Sequence, residues 1–440
     1  MNSPQASSPL RPSACPGLLR VVQALDGGIC RIKLDGGSLR ADQAVAVADA
    51  ARLYAGGVIE ATNRANLQIR GIGQQTPALI DSLLAAGLGP TTALGDDVRN
   101  LMLSPSAGID QDMLIDTRPL ARQILNSLQT HPRFHELSAK FAVLLDGGES
   151  LAMLEHPHDL WLSAIERNGE ALLVFGLAGC PVDTPVGAVL LGDGHRLVVA
   201  VLELFLELAR PDQTRMRHLL AEHSRPSLLQ TLAGRVPLLD IGQWQAPVRR
   251  SGQPIGSFPQ RQEGLMYVGA MPPLGRLDPT MLKGAAELCA TLGDASLRLT
   301  PWQSLLLPNI RHQDAALVIQ QLQALGFLVD PRQPLCSVVA CTGSAGCGKG
   351  LADTKGDARQ LAARLHDQPE RQQVHLSGCP RSCACAHTAP VTLLATGTGH
   401  YDLYFRDAAL PGFGALQARN LTIEAAGAWL DARPRSPLDA

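Results

Sequence analysis

The sequence has 440 residues, of which 45% are hydrophobic and 18% are charged, and its formal net charge is −2. This length and composition exclude a disordered chain and predict several domains with substantial buried cores. The near-neutral charge, without any run of basic residues, gives no support for nucleic acid as a partner.

The N-terminal residues 1–14 are dominated by Ser, Pro and Ala, which predicts a flexible segment, and residues 431–440 have a similar composition. The chain start contains no apolar stretch of the kind that directs export. We therefore expect a cytoplasmic protein whose cysteines are reduced.

A segment in the first half of the chain recurs in the second half, and each copy reads as a strand, a helix and a pair of strands. A shift of 238 residues superposes Gly37 on Gly275, Leu39 on Leu277, Ala48 on Ala286, Thr62 on Thr300 and Leu67 on Leu305. Chance similarity is the alternative, because all β-α-β units share this pattern. The repeat predicts a pseudo-twofold chain with these parts: flexible residues 1–14, a first repeat over 15–85, a larger domain over 95–255, a second repeat over 256–325 and a larger domain over 335–430.

Basic and amide side chains are concentrated in the first repeat. Arg64, Asn66 and Gln68 alternate, as do Arg31 and Lys33, so on strands each set would point to one face. Guanidinium groups bind carboxylates with two parallel hydrogen bonds, which suits a ligand with several carboxylate arms. A solvated surface position is the alternative for each of these residues.

The longest apolar stretch covers residues 197–208 and carries Glu203 and Glu207. It is too short to cross a bilayer, so it predicts an amphipathic core helix, and no membrane partner is expected.

Four cysteines near the C-terminus have the spacing Cys341-x5-Cys347 and Cys379-x3-Cys383. Both pairs lie in glycine-containing loops, which allow the backbone to approach a sulfur-rich inorganic group closely. Between the pairs, the pattern predicts a helix around residues 358–365 and a strand over residues 374–376, which could bring the pairs together. The cysteines therefore predict the ligands of one 4Fe-4S cluster.

Structural zinc, disulfides and plain thiols are the alternatives for these cysteines. Structural zinc sites prefer shorter C-x2-4-C spacings, and disulfides need an oxidising compartment. The other six cysteines read as ordinary thiols, and Cys385 and His387, close to Cys383, read as neighbours of the cluster rather than ligands.

With these motifs, the chain resembles the sulfite and nitrite reductase family, which binds siroheme beside a 4Fe-4S cluster. The resemblance covers nearly the whole chain and implies an α+β fold in which two ferredoxin-like repeats alternate with two larger α/β domains. It implies that Cys383 bridges the cluster to the tetrapyrrole iron. It also implies catalytic roles for Arg31, Arg99 and Lys140, and cofactor binding by Arg64, Gln68 and Cys383.

Three departures from the reductase pattern favour a different branch of the family. A Lys-Phe-Lys motif reads Lys140-Phe141-Ala142 here, Trp302 stands where Arg64 stands in the first repeat, and a Cys-Ala-Cys-Ala-His run begins at Cys383 and ends at His387. The chain is also short for a siroheme reductase. The resemblance then implies a cobalamin-pathway monooxygenase that uses dioxygen to convert precorrin-3A to precorrin-3B.

The cofactors expected from this resemblance are the 4Fe-4S cluster and either siroheme or a mononuclear iron centre, for which His375 or His387 is a candidate ligand. The sequence has no GxGxxG motif after a strand, so electrons are expected from an external reductase or ferredoxin. Two alternatives stay open. One is a siroheme-dependent sulfite or nitrite reductase, and the other is a non-catalytic, metal-stapled tetrapyrrole-binding protein.

Overall fold

The computed structural model describes residues 15–242, 253–365 and 372–431. The predicted flexible segment, residues 1–14, and nearly all of the C-terminal segment lie outside the described residues. The described residues fold into four five-stranded sheets with helices packed against them, which is an α+β architecture.

The first repeat comes first along the chain. It contains β1 (Val22–Ala24), β2 (Gly27–Ile32), β3 (Ser38–Arg40), α1 (Ala41–Tyr54), β4 (Val58–Ala61), β5 (Leu67–Ile72) and α2 (Thr76–Ala85).

The first larger domain follows. It contains β6 (Leu101–Leu103), α3 (Arg118–Thr130), β7 (Val143–Asp146), β8 (Leu160–Arg167), β9 (Glu170–Leu177), β10 (Gly187–Leu190), α4 (Gly194–Leu208), α5 (Met216–Leu219) and α6 (Arg225–Ala233). Helix α4 covers the predicted amphipathic stretch and buries its apolar side chains in the core of this domain. In the described parts of the chain, no helix is both long and apolar enough to cross a membrane.

The second half repeats this order. It contains β11 (Gly256–Pro259), β12 (Leu265–Ala270), β13 (Arg276–Leu277), α7 (Pro279–Leu292), β14 (Ser296–Leu299), β15 (Leu305–Arg311), α8 (Ala315–Ala324), β16 (Val338–Ala340), α9 (Thr354–Ala362), β17 (Val374–Ser377), β18 (Val391–Gly397), β19 (His400–Phe405), β20 (Ala415–Thr422) and α10 (Ile423–Asp431).

The two repeats exchange equivalent strands. The first sheet has the order β1-β2-β5-β4-β13, and the corresponding sheet of the second repeat has the order β11-β12-β15-β14-β3. Helices α1 and α7 pack together, and apolar residues of both repeats form one core. Neither repeat completes its sheet without the other, so the two are expected to fold as one unit.

The two larger domains have the same sheet topology. The first sheet has the order β10-β9-β8-β7-β6 and the second has the order β16-β17-β18-β19-β20. In both, the first three strands in chain order are parallel to one another and the last two are antiparallel to their neighbours. Because the carboxyl ends of parallel strands share one sheet edge, the loops after β6 and β7, and likewise those after β16 and β17, lie side by side.

Candidate functional site

A cavity of about 160 Å³ opens between the first repeat and the first larger domain. Four cationic side chains line it: Arg31, Arg64, Lys140 and Arg215. Three of the basic residues predicted from the sequence therefore meet in one place, and Arg215 joins them from a segment that the sequence did not single out.

Arg31 projects from β2 and pairs with Gln68 on the neighbouring strand β5. With its amide oxygen turned toward Arg31, Gln68 accepts from Nη2 at 2.8 Å and from Nε at 3.2 Å. Burial lowers the pKa of Arg31, an effect that Cys15 and Cys383 oppose. Gln68 thus orients a guanidinium group that the cavity has largely removed from water.

Arg64 lies in the turn between β4 and β5, and not on a strand as predicted, and the same holds for Asn66. Arg64 Nη1 donates to His158 Nε2 at 2.9 Å, and His158 Nδ1 donates to the His156 carbonyl at 2.8 Å. Burial and the Arg64 charge hold the pKa of His158 well below its usual range, so the imidazole stays neutral. A neutral His158 can accept from Arg64 and fix its position.

Arg215 precedes α5 and is anchored by the buried carboxylate of Asp159. Arg215 Nε donates to both oxygens of Asp159 at 2.9 Å, and the backbone N–H of Ala142 donates to the same carboxylate at 2.9 Å. Ala142 lines the cavity, as does the exposed Lys140. Asp159 therefore places a guanidinium group beside the position at which the Lys-Phe-Ala sequence lacks its second cation.

Arg99 does not line this cavity, although the sequence resemblance gave it a catalytic role. It is buried behind the site, where Nη2 donates to the Leu88 carbonyl at 3.3 Å and lies 3.7 Å from Asp96. Lys33 is also buried and donates to the carbonyls of Asp96 and Asp97. Both basic residues have structural contacts that hold the segment before β6.

The two cysteine pairs lie in the loops that follow β16 and β17, and the predicted helix and strand between them are α9 and β17. The loops touch directly, since the Leu351 N–H donates to the Gly378 carbonyl at 2.9 Å. The Gly378 N–H donates to Cys341 Sγ at 3.2 Å. The parallel pairing of β16 with β17 thus brings the four thiols to one edge of the sheet.

The backbone of the first cysteine loop packs too closely at two glycines to admit a side chain. A Cβ atom on Gly343 would lie 2.5 Å from the Ala352 carbonyl oxygen, and one on Gly350 would lie 2.5 Å from the Gly343 backbone. Gly343 also has a φ of +67°, which disfavours other residues. The glycines therefore let the two cysteine loops pack closely together. Four thiolates carried by such loops are the donor set that an iron-sulfur cluster requires.

Cys383 is the exposed member of the four and lies nearest the cavity. Two effects raise the pKa of the Cys383 thiol: its burial, and electrostatic repulsion from the other three cysteines. Asn63, in the same turn as Arg64, donates to the Cys383 carbonyl at 3.3 Å. The turn that carries Arg64 therefore joins the cavity to the cysteine loops.

The position equivalent to the cavity in the second half is almost closed. Trp302, Val339 and Gln373 occupy it, in place of Arg64, Met102 and Ala142, and it encloses about 10 Å³. His156 and His387 meet at its edge with ring centroids 5.0 Å apart. His375 is fully buried on β17, and burial lowers its pKa to about 4.

Among the polar residues that line the cavity, four had no signal in the sequence that assigned them to a site: Cys15, Asn100, His158 and Arg215. Cys15 read as an ordinary thiol, and Arg215 lies in a polar segment without a motif. The run His156-Pro157-His158-Asp159 is the one local signal that could have pointed here, because two histidines and a carboxylate in four residues are unusual at a strand entrance.

A cation-lined cavity beside four clustered cysteines is the kind of site expected in an iron-sulfur oxidoreductase that binds an anionic group. Comparison with known families agrees. A model described as the nitrite/sulfite reductase ferredoxin-like half domain matches residues 23–86 and 258–325, and one described as the nitrite and sulphite reductase 4Fe-4S domain matches residues 94–236. The four cysteines lie outside these matched residues.

Individual relatives extend the match. The chloroplastic ferredoxin–nitrite reductase of Zea mays is 32% identical over 400 residues, which cover 84% of this chain and 70% of that enzyme. The precorrin-3B synthase of a Sinorhizobium species is 27% identical over 406 residues, which cover 89% of this chain and 82% of the synthase. Against the chloroplastic nitrite reductase of Oryza sativa, the chain spans 65% of the relative's length.

The structure of the Mycobacterium tuberculosis NirA protein has the same fold, with a TM-score of 0.77 at 22% identity over 92% of this chain and 79% of that one. The chain belongs to the nitrite and sulfite reductase family of oxidoreductases. The predicted α+β fold with two ferredoxin-like repeats is confirmed.

Proposed function

We propose that this chain is a precorrin-3B synthase, a monooxygenase that converts precorrin-3A to precorrin-3B. The observation that carries the proposal is the cavity lined by Arg31, Arg64, Lys140 and Arg215, in which Ala142 stands at the position of a second motif lysine. The cavity is suited to a polycarboxylate, and it lacks one of the two motif cations that help bind a small oxyanion in the reductases.

The four cations suit a tetrapyrrole with several acetate and propionate arms. Each charge-assisted hydrogen bond to a carboxylate contributes about 1.5 to 3 kcal/mol. Arg31 and Arg64 are held by Gln68 and His158, so little side-chain entropy is lost when a carboxylate binds. Their pKa values are lowered by burial, and a bound carboxylate would restore the favourable environment of the charged form.

Cys341, Cys347, Cys379 and Cys383 are proposed to hold a 4Fe-4S cluster, which supplies electrons one at a time when bound. Cys383 is the member closest to the cavity. By family likeness, Cys383 is also the ligand that would lie beside a second iron centre, either siroheme or a mononuclear iron. An external ferredoxin or reductase would supply the electrons, as the names of the plant relatives indicate for those enzymes.

The reaction balances with two electrons and two protons from the donor system. One oxygen atom of dioxygen enters the tetrapyrrole as a hydroxyl group, which precedes γ-lactone formation, and the other leaves as water. The residues of this chain would bind and orient the macrocycle: Arg31, Arg64 and Arg215 through its carboxylates, and Lys140 at the open side of the cavity.

The overall extent of the match also supports the synthase. The alignment covers 82% of the Sinorhizobium synthase but 70% of the Zea mays reductase. The second candidate function is a siroheme-dependent nitrite or sulfite reductase, and it is favoured by the higher identity, 32% against 27%, to the nitrite reductase.

The test is turnover of precorrin-3A by anaerobically purified protein after addition of a reductant and ¹⁸O₂. We expect a product that carries one ¹⁸O atom, with activity lost in Arg31→Ala and retained in Arg196→Ala, which changes an exposed arginine on α4. Stoichiometric siroheme with nitrite or sulfite turnover, and unchanged precorrin-3A, would assign the reductase instead.

A further inference from the structure

A largely buried network of charged side chains lies directly beneath the first cysteine loop, outside the cavity. Glu60 on β4 is its centre: Arg276 Nε donates to Glu60 at 3.0 Å, Arg70 Nη1 lies 3.7 Å away and Lys355 Nζ lies 3.9 Å away. Arg70 also forms two 2.9 Å hydrogen bonds with Asp26. Three cations thus face two carboxylates.

The network joins three parts of the chain. Glu60, Arg70 and Asp26 come from the first repeat, Arg276 comes from the exchanged strand β13, and Lys355 comes from α9 in the second larger domain. Lys355 is buried, and its ammonium group donates to the carbonyls of Leu274 and Ala340 at 2.6 and 3.1 Å. A lysine this deep in the protein requires a reason, because burying an ammonium group is costly.

The same network holds the first cysteine loop. Arg70 Nη2 donates to the Gly346 carbonyl at 3.3 Å, and the Thr342 hydroxyl donates to Glu60 at 3.4 Å. Ala340, whose carbonyl accepts from Lys355, directly precedes Cys341. The charges are therefore fixed within a few residues of two proposed cluster ligands.

The pseudo-twofold counterpart has the opposite charge. Arg298 stands at the position of Glu60 in the second repeat, and its Nη1 donates to the carbonyls of Pro105 and Ala107 in the loop after β6. That loop carries no cysteine. The Glu60 network is thus found at the cysteine-bearing loop and not at its equivalent.

We propose that the Glu60–Arg276–Lys355 network sets the reduction potential of the iron-sulfur cluster through its net positive charge. The inference rests on the proposed function only in requiring that the cysteines hold a cluster. Reduction adds one negative charge to the cluster, and a buried positive charge nearby stabilises the reduced form more strongly than the same charge in water would. Lys355 and Glu60 act through this field and are not catalytic residues.

The test is an EPR-monitored redox titration of the holoprotein at pH 7. Lys355→Met removes a cation, so the cluster potential should become more negative. Glu60→Gln removes a carboxylate, so the potential should become more positive. Lys355→Arg keeps the charge and should restore a potential close to that of the unchanged protein. Loosening of the loop alone would not produce shifts of opposite sign.

Arg210→Met is the matched control, because it removes a cation from an exposed ion pair with Glu222 in the first larger domain. Its potential should be unchanged. If Lys355→Met loses iron and sulfide, Arg276→Met carries the same test, since its partly exposed side chain can be replaced with less disruption.

Equal potentials in all variants, or shifts of one sign, would overturn the proposal. Loss of the cluster in Lys355→Met, Glu60→Gln and Arg276→Met alike would also overturn it, because the network would then serve loop folding. Absence of labile sulfide from the unchanged protein is a different result, which would overturn the iron-sulfur part of the proposed function.

Discussion

The loops after β6 and β7 in the first half occupy the same topological positions as the cysteine loops after β16 and β17 in the second half. In the first half, the Ser106 and Ser150 hydroxyls donate to Asp110 at 2.7 and 2.8 Å, and the Gly147 N–H donates to Glu149 at 2.6 Å. Hydrogen bonds within these loops hold Asp110 and one oxygen of Glu149, whereas Glu149 Oε1 is buried without a hydrogen-bond partner among the described residues. In the second half, the equivalent loops present four cysteines.

The cavity shows the reverse asymmetry. The first half has an open, cation-lined cavity of about 160 Å³, whereas its counterpart in the second half is filled by Trp302 and measures about 10 Å³. Each half therefore contributes a different part of the proposed site. The turn that carries Asn63 and Arg64 connects the two parts through the Cys383 carbonyl.

Removal of a cysteine should have the largest effect, because it should remove the cluster that distinguishes the second half from the first. Cys379→Ser makes the second half resemble the first, and we expect complete loss of the cluster because a 4Fe-4S cluster needs four thiolate ligands. Iron and labile sulfide analysis checks this. Cys180→Ser, at a partly exposed thiol of the first larger domain, should retain both. Full iron and sulfide in Cys379→Ser would remove Cys379 from the ligand set.

Copying the second half into the first should close the cavity. Arg64→Trp places at residue 64 the side chain found at residue 302, and we expect tetrapyrrole affinity to fall by at least about 10- to 100-fold, the equivalent of one charge-assisted contact. Equilibrium titration with precorrin-3A under anaerobic conditions measures the loss. The exposed substitution Arg196→Ala serves as control, and unchanged affinity in Arg64→Trp would show that the cavity is not the binding site.

His158 should have a smaller effect, since it acts through Arg64. His158→Leu removes the acceptor for the Arg64 guanidinium, and we expect an affinity loss of about 1 kcal/mol, roughly 5-fold. His158→Gln retains an acceptor and should recover most of the affinity in the same titration. Equal losses in both variants would indicate a packing role for His158.

Arg99 should have the smallest effect on binding. Arg99→Ala breaks buried contacts with Leu88 and Asp96, so we expect a loss of about 1 to 3 kcal/mol in the free energy of unfolding. Tetrapyrrole affinity should stay unchanged. Denaturant unfolding measures the free energy of unfolding, and the same titration measures the tetrapyrrole affinity. A loss of affinity without a loss of stability would show that Arg99 takes part in binding.

The duplicated fold could be predicted from the sequence, because the two copies superpose at one constant shift. This shift places Gly37 on Gly275 and matches the apolar positions around them. The strand exchange was not, since β3 and β13 are only two or three residues long and either partner sheet satisfies their side-chain pattern. Sequence patterns record which residues are buried, but they do not record which of two equivalent sheets a short strand joins.

The helix and strand between the two cysteine pairs could be predicted because their sequence patterns are local. That the four cysteines bind a cluster stays a prediction. The sequence predicted only some of the residues that line the cavity. Arg64 and Asn66 were assigned to a strand from their alternation, but the turn before β5 holds them. Arg215 reaches the cavity through Asp159, a contact between segments 56 residues apart. Such a contact has no signature in a single sequence.

The most direct test of the divided site is the stoichiometry of tetrapyrrole binding, measured by anaerobic titration of the cluster-loaded protein with precorrin-3A. We expect one tetrapyrrole per chain in the unchanged protein, and an affinity weakened by at least about 10- to 100-fold in Arg64→Trp. Two tetrapyrroles per chain, or one bound with unchanged affinity in Arg64→Trp, would contradict the assignment of the binding site to the cavity of the first half alone.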